Sequence, residues 1–225
     1  AVNYGAKLVQ TPFTMIVDSD DFLTDDAIEF LSEKAKEIIT HKNLAGISGL
    51  KGHDENTPLK SIKTNNTPYI IANNLERKQY GLERDACEVY KTVLLLQHPF
   101  YVWNNEKFVP EEIVWNQIAL EGYKLRWYNK VTYIARYQEN GLTKDSFNLI
   151  KNNPMGYAML YKHRIGLTTN IRDKFFLNYQ LIANSILGHH FNYCLKSNFN
   201  LISLIAIPIG VIVAIRRIWQ FKHII

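Results

Sequence analysis

The sequence predicts an α/β domain followed by a basic helical region, and three observations lead to this prediction. Strand-like and helix-like segments alternate between residues 13 and 50, which is the rhythm of an α/β sheet. Apolar residues recur at alternate positions between residues 124 and 137, as is typical of a strand. After about residue 145 the chain becomes strongly basic. We therefore expect one domain over residues 1–145 and a helical region over residues 146–225.

The first strand–helix–strand unit contains a group of carboxylates. Residues 13–17 form a short apolar run that favours a buried strand, and the acidic segment, residues 18–21, follows it directly. The residues that follow have apolar side chains at helical spacing, which predicts a helix. We expect Thr24 to cap it, because threonine is a favoured residue before the first turn. A second strand is expected over residues 44–50, and the polar stretch 51–68 predicts a loop.

The remaining elements of the first domain are predicted from apolar patterns and helix start signals. Residues 85–97 mix β-branched and aromatic residues with leucines, which favours a strand that passes into a helix. Pro110 precedes two glutamates, and both residue types suit the first turn of a helix. The alternation within residues 124–137 predicts a long strand or hairpin with one buried face.

Composition restricts the classes of protein to which the chain can belong. Its 225 residues are 47% hydrophobic and 12% aromatic, which excludes collagenous, low-complexity and disordered chains. The two cysteines, Cys87 and Cys194, are too few for a disulfide framework, so we expect a reducing, intracellular compartment. The chain starts at Ala1 without a recognisable leader, and we expect it to be a fragment.

The charge distribution predicts an anionic partner for the carboxyl-terminal region. Residues 146–225 contain nine Lys or Arg and one acidic residue, whereas residues 1–145 contain 17 basic and 20 acidic residues. Nucleic acid and an anionic membrane are the two partners that this charge suggests. The fifteen uncharged residues at 201–215 argue against a solvated nucleic-acid surface, so we expect a membrane and no nucleic acid.

The apolar run at residues 201–215 predicts a shallow membrane contact. A spanning helix needs roughly 20 apolar residues, and this run is shorter and contains Pro208. We therefore expect a tilted interfacial helix or a re-entrant segment, with Arg216 and Arg217 at the level of the lipid headgroups.

Asp18 and Asp20 are candidate metal ligands. They lie two residues apart at the end of a predicted strand, so their oxygens can reach one hard divalent cation. Mg²⁺ or Mn²⁺ bound there would bridge a substrate diphosphate. Repulsion between carboxylates this close also favours a counter-cation. The alternative is a solvated acidic loop in front of a helix.

Four ordered motifs in this chain resemble those of family 2 glycosyltransferases. In that family an A-x-N-x-G helix segment precedes a strand that ends in D-x-D-D. An acidic E-V-x-(K/R)-T segment, an E-K-F-x-P-E motif and a Y-x-x-D-G-L-T closing segment follow. The corresponding parts of this chain are residues 1–5 with 13–21, then 85–92, 106–115 and 137–143.

The resemblance implies a GT-A, Rossmann-like fold and an inverting transfer of a sugar from a nucleotide-sugar, most often a UDP-sugar. It implies a metal-dependent enzyme in which Asp20 holds Mn²⁺ or Mg²⁺ and Asp18 lies near the ribose or the metal. Asp21 and Asn3 would belong to the same donor-binding site. By this resemblance the chain is the carboxyl-terminal portion of a longer transferase and lacks the first nucleotide-binding half.

Glu111 and Glu112 are the candidates for the catalytic base. The acceptor hydroxyl must lose a proton as it attacks the sugar, which is a task for a carboxylate on the face opposite the leaving diphosphate. Adjacent helical residues point about 100° apart, so only one of the two can face the sugar. Other members of the family have an E-D pair where this chain has the E-K-F-x-P-E motif. We favour Glu112, which matches the second acid of that pair. The alternative is that both acids only stabilise the start of a helix.

The resemblance and the basic region together predict a bacterial glycosyltransferase on the cytoplasmic face of the cell membrane, peripheral or shallowly inserted. It would extend a surface polysaccharide or a lipid-linked precursor. Its partners would be a nucleotide-sugar donor, a glycan or lipid-linked acceptor and an anionic membrane surface. The alternative is a catalytically inactive, membrane-bound scaffold with the same fold.

Overall fold

The protein divides into two compact units. The boundary expected at residue 145 lies outside the described residues, so the predicted domains stay a prediction. Unit 1 consists of Ala1–Phe100 and Val114–Gln138, and unit 2 consists of Tyr101–Ile113 and Glu139–Ile225. In this computed structural model, the described residues are 1–62, 64, 67–82, 85–136, 146–196 and 200–223.

Unit 1 alternates strands and helices, which confirms the predicted α/β class. Its elements in chain order are α1 (Val2–Leu8), β1 (Phe13–Met15), β2 (Phe22–Leu23), α2 (Ala27–Ile38), β3 (Leu44–Gly52), β4 (Ile70–Ala72), a 3₁₀ helix (Asn74–Tyr80), β5 (Ala86–Lys91), α3 (Thr92–Gln97), α4 (Glu112–Leu120), whose first two residues belong to unit 2, and β6 (Lys124–Ile134).

The strands found in the described ranges form one mixed sheet. Their order is β1-β5-β3-β6-β2, and β4 also pairs with β6. β3 and β6 are parallel, whereas the other pairs are antiparallel. β1 and β2 therefore lie at opposite ends of this order although only residues 16–21 separate them in the chain. That short segment has to cross the sheet at the carboxyl ends of β3 and β6.

Helix α2 covers one face of this sheet, and it begins later than predicted. Asp26 is the residue before its first turn and makes no capping hydrogen bond. The buried Thr24 is not the cap, because its hydroxyl donates instead to the Asp26 carboxylate at 3.1 Å. The apolar stripe of α2 packs on strand residues to form the core of unit 1: Ala27, Leu31, Ala35, Ile38, Leu44, Ile47, Cys87, Val89, Tyr128 and Tyr133.

Two strands differ from the prediction. The buried strand expected at 13–17 is the half-buried β1, which lies at one end of the sheet and ends at Met15. β6 was expected to bury one face, but residues of both parities are buried, including Trp127 and Thr132. β6 lies inside the strand order, with β3 on one edge and β2 and β4 on the other.

The described residues of unit 2 from residue 146 onward are mostly helical, as the sequence predicts. α7 packs against both α6 and α9. The shared core consists of Met155, Ala158, Leu181, Ile182, Cys194 and Ala206. Its helices are α5 (Ser146–Asn152), α6 (Pro154–Leu167), α7 (Ile171–Leu187), α8 (Asn192–Leu195) and α9 (Leu201–His223).

Helix α9 is longer than the apolar run that predicted it. It extends over 23 residues and continues through Pro208. Within the span Leu201–Lys222 an 18-residue window has a mean hydropathy of 2.2, so by length and composition this helix is apolar enough to cross a membrane. The expectation of an apolar segment too short to span a bilayer is therefore not met by the helix as a whole.

Candidate functional site

The acidic segment lies where an α/β sheet is suited to bind a ligand. Asp18, Asp20 and Asp21 belong to the crossing between β1 and β2, at the carboxyl ends of the parallel strands β3 and β6. Ligands of open α/β sheets bind outside the carboxyl ends of parallel strands. The topology therefore brings the predicted metal- and donor-binding carboxylates to this end of the sheet.

Asp18 is held by two residues that the sequence did not single out for it. Its backbone N–H donates to the Tyr133 hydroxyl oxygen at 2.9 Å, and that hydroxyl lies 3.3 Å from Asp18 Oδ2. Lys51 Nζ is 3.8 Å from the same Oδ2 and 4.3 Å from the centre of the Tyr133 ring. Lys51 and Tyr133 are direct partners in the β3–β6 pairing, so strand register brings both of them to Asp18.

The Tyr133 hydroxyl is a persistent hydrogen-bond donor. Burial raises its pKa, and the negative charges of Asp18 and Asp21 raise it further. The phenol therefore stays neutral at physiological pH. Asp21 is itself engaged, because its Oδ1 accepts the backbone N–H of Arg136 at 2.8 Å.

Asp18 and Asp20 are the expected ligands of a magnesium-type cation, and this role stays a prediction. Both are exposed, and in the described part of the chain Asp20 has no hydrogen-bond or ion-pair partner. No group of three or more His, Cys, Asp or Glu side chains able to hold a metal is found within the described ranges. Mg²⁺ is commonly held by one or two carboxylates while substrate phosphates complete its coordination. The pair therefore suits a cation that binds together with a diphosphate.

Asn3 has a structural partner inside unit 1. Its Nδ2 donates to the Phe100 carbonyl at 2.7 Å, and its Oδ1 accepts the Phe100 N–H at 2.8 Å. This reciprocal pair joins α1 to the segment that follows α3. The role of Asn3 in donor binding stays a prediction.

Two of the resembling motifs are joined by stacked rings. Tyr90 of β5 and Trp115 of α4 lie parallel, with centroids 4.2 Å apart. Within the first of these motifs Glu88 is paired with Arg77 at 3.1 Å. Burial raises the pKa of Glu88, and the Arg77 charge opposes that rise. Glu88 is therefore part of an ion pair in the interior of unit 1.

The E-K-F-V-P segment of unit 2 is fastened to the amino-terminal end of α6. Glu106 accepts hydrogen bonds from the N–H groups of Met155 at 2.6 Å and Gly156 at 2.7 Å. In the opposite direction, Asn153 Oδ1 accepts hydrogen bonds from the N–H groups of Lys107 and Phe108 at 2.8 and 2.9 Å. Burial raises the pKa of Glu106, and the two donors from α6 oppose that rise. The chain leading to the candidate base is therefore fixed at α6.

The two candidate bases have different surroundings. Glu111 is exposed and precedes α4, which begins at Glu112. Glu112 is half-buried and forms an ion pair with Arg164, which lies about three turns along α6 from Asn153. His163 lies beside this pair with a pKa lowered by burial, an effect that the Glu112 charge opposes. The role of either acid as the base stays a prediction.

Sequence patterns identified the acids but not their partners. Lys51 and Tyr133 required the register of β3 on β6, and Arg164 required the packing of α6. Tyr133 belongs to the strand predicted within residues 124–137, and it is buried, but its hydroxyl reaches the acidic segment. The fourth motif, residues 137–143, lies outside the described residues.

Comparisons with known proteins show a distant structural likeness. No protein-family model and no curated protein matches this chain. Among solved structures, it is similar to S. aureus TarS 1-349, with 12% sequence identity and a TM-score of 0.43. The match covers 97% of this chain and 70% of that chain. At this degree of similarity, function has to be inferred from the residues of the chain itself.

Proposed function

We propose that this chain belongs to an inverting glycosyltransferase that moves a sugar from a nucleotide-sugar, a UDP-sugar by preference, to a hydroxyl group. The acceptor is a growing surface polysaccharide or a lipid-linked glycan. The observation that carries the proposal is the exposed Asp18–Asp20 pair at the carboxyl ends of β3 and β6. Its occurrence within four ordered motifs that resemble one transferase family supports the same assignment.

In the proposed reaction the acidic segment binds the donor. Asp18 and Asp20 would hold Mn²⁺ or Mg²⁺, which when bound supplies positive charge for the leaving diphosphate. Tyr133 and Lys51 keep Asp18 in place from the neighbouring strands. Asp21 anchors the segment through the Arg136 N–H.

The acceptor is activated by a carboxylate of the third motif, residues 106–115. Glu112 takes the proton of the acceptor hydroxyl as that oxygen attacks the sugar carbon, and the nucleoside diphosphate leaves on the opposite side. Arg164 holds the carboxylate plane of Glu112. Glu106 and Asn153 hold the backbone that leads to Glu112.

The proposal includes a location. The enzyme acts on the cytoplasmic face of the cell membrane, as a peripheral or shallowly inserted protein. The apolar helix α9 and the basic composition of residues 146–225 support this placement.

The test uses the protein produced from its complete reading frame. It is incubated with a panel of nucleotide-sugars and either Mn²⁺, Mg²⁺ or a chelator, and release of the nucleoside diphosphate is measured. We expect one donor to be hydrolysed or transferred, with loss of turnover in chelator. A folded protein that binds donors but turns none over is the inactive scaffold, and one that binds none is not a nucleotide-sugar enzyme.

A further inference from the structure

A helix of a water-soluble protein usually buries its large apolar side chains, whereas helix α9 exposes them. Its inward positions carry small residues, and its outward positions carry large apolar ones. Among the latter, Ile212 is 62% exposed and Trp219 is 63% exposed. The buried small residues are Ser203, Ala206, Gly210 and Ala214. The exposed large ones are Leu201, Leu204, Ile205, Ile209, Val211, Ile212, Ile215, Ile218 and Trp219.

The small residues on the inward side are needed for contact with α7. A Cβ atom at Gly210 would lie 2.6 Å from Ile182 Cγ2, so a larger residue would push the two helices apart. Polar bonds add to this contact. Ser203 Oγ is 2.8 Å from Asn178 Oδ1, and Arg217 donates to Gln180 Oε1 at 2.8 Å. The inward half of α9 is therefore occupied by protein, which leaves the outward half to be explained.

An ordinary core helix does not account for the outward half. A core helix is apolar because it is mostly buried, whereas only 22% of the apolar window in α9 is buried in this fold. The exposed residues recur three or four positions apart from residue 201 to residue 219, so they form one continuous apolar surface along the helix. Contiguous apolar surfaces of this kind mark contacts with membranes or other proteins.

The charges at the carboxyl-terminal end of α9 favour an anionic bilayer as the occupant. The exposed Arg216 lies among the outward residues close to Trp219, and Lys222 is one turn further. Basic residues complement anionic headgroups, and tryptophan is enriched at the membrane interface. A second copy of the chain paired in parallel on α9 would bring the same positive charges face to face, which is unfavourable.

The packing of α7 favours a helix that lies along the membrane rather than one that crosses it. If α9 crossed the bilayer, the part of α7 packed on it would have to enter as well. α7 begins with the exposed charged residues Arg172 and Asp173 and carries buried polar side chains such as Asn184. Charged side chains are costly in the hydrocarbon region. Only the outward half of α9 is free of protein, and that half matches an interfacial helix.

We propose that α9 lies flat on an anionic bilayer, with its outward apolar half inserted among the lipids and its inward half packed on α7. This inference rests on the membrane location included in the proposed function and deepens it, but it does not depend on glycosyl transfer. It assigns membrane binding to the surface of one helix and makes unit 2 the anchored unit.

The test places single charges on that surface in the full-length protein. The variants are Leu204→Glu, Ile212→Glu and Ile218→Glu, and the control is Ile28→Glu, an exposed position on α2. Binding is measured by flotation with vesicles of phosphatidylcholine containing phosphatidylglycerol. We expect each α9 variant to bind about tenfold more weakly or worse, because an apolar contact is lost and a negative charge is added. The control should bind as the wild type does, and all variants should keep their unfolding temperature.

The pattern across the three positions separates the possible arrangements. A flat helix holds the three substituted positions at one depth in the bilayer, so the three variants should lose similar amounts of vesicle binding. A much larger loss at Ile212, near the middle of the helix, would overturn the flat arrangement in favour of a spanning one. Wild-type protein that ignores the vesicles, or an α9 variant that converts a lipid-free dimer to a monomer, would overturn the membrane itself. Equal binding to vesicles of pure phosphatidylcholine would overturn the role of the positive charges.

Discussion

Glu112 and Arg164 form a two-point ion pair. Arg164 Nε donates to Glu112 Oε1 at 2.7 Å, and a second guanidinium nitrogen donates to Oε2. A paired contact of this kind fixes the plane of a carboxylate as well as its distance. Since Arg164 lies on α6 and Glu112 begins α4, the orientation of the candidate base is set by a helix distant in the sequence.

Removing the candidate base should separate turnover from donor binding. We expect Glu112→Gln to lower kcat by about 100-fold or more and to leave the donor Kd nearly unchanged, because a general base acts only in the chemical step. Glu111→Gln, at an exposed position before α4, should have a milder effect. Single-turnover kinetics and calorimetry measure the two quantities. If only the Glu111 variant is inactive, the order of the two acids is reversed, and normal turnover in both places the base elsewhere.

The guanidinium of Arg164 should control the pH range in which Glu112 acts. A positive charge in contact favours the ionised carboxylate, so its removal in Arg164→Gln should move the acid limb of the kcat profile to higher pH. Arg164→Lys keeps the charge but not the two-point geometry. We expect it to lower kcat with little movement of the limb. Identical profiles for the wild type and the Gln variant would show that Arg164 is only structural.

Asp20 should be required for metal-dependent turnover, while a nearby acid should not. We expect Asp20→Ala to abolish most activity at all Mn²⁺ concentrations, because a cation ligand is lost. Asp25→Ala is the matched control, since Asp25 is also exposed and lies in the same stretch before α2. Initial rates across a Mn²⁺ titration measure both. Activity that survives both Asp20→Ala and a chelator would contradict the metal assignment.

Two glycines of α6 should respond oppositely to alanine. A Cβ at Gly156 would lie 2.5 Å from the Phe108 carbonyl oxygen, so Gly156→Ala should push apart the contact that holds Glu106 and lower the unfolding temperature. Gly166 has no atom within 4 Å of such a Cβ, and Gly166→Ala should stabilise the helix by roughly 0.5–1 kcal/mol. Thermal unfolding followed by circular dichroism compares them. Equal effects would contradict the close approach at Gly156.

His163 should make unit 2 less stable in acid. Burial lowers its pKa below the ordinary 6.5, so the unfolded chain binds a proton in a pH range where the folded chain does not. The free energy of unfolding is therefore unaffected by this histidine above about pH 6.5, and it decreases as the pH falls toward the folded-state pKa. His163→Gln should therefore gain stability relative to wild type between pH 7 and pH 5. Urea unfolding at both pH values measures the difference, and a relative loss in acid would contradict the burial effect.

Most elements could be predicted from the sequence because their signals are local. The stripe of α2 repeats with the helical period, and Pro110 with two acids marks the start of α4 to within two residues. The errors occurred where burial depends on neighbours. β1 is half-buried and lies at one end of the sheet, whereas β6 has buried side chains on both faces and lies between other strands. Such positions depend on strand order, which no local pattern contains.

The sequence by itself determined which residue types were available for chemistry: the carboxylates Asp18 and Asp20 after an apolar run, and an apolar helix followed by positive charges. The tertiary structure decided what those residues contact. Tyr133 reaches Asp18 only through the register of β6, and Arg164 reaches Glu112 only because α6 approaches the start of α4. The outward surface of α9 likewise exists because its small residues pack on α7. A sequence pattern indicates the periodicity of one segment, whereas these contacts join segments that are far apart in the chain.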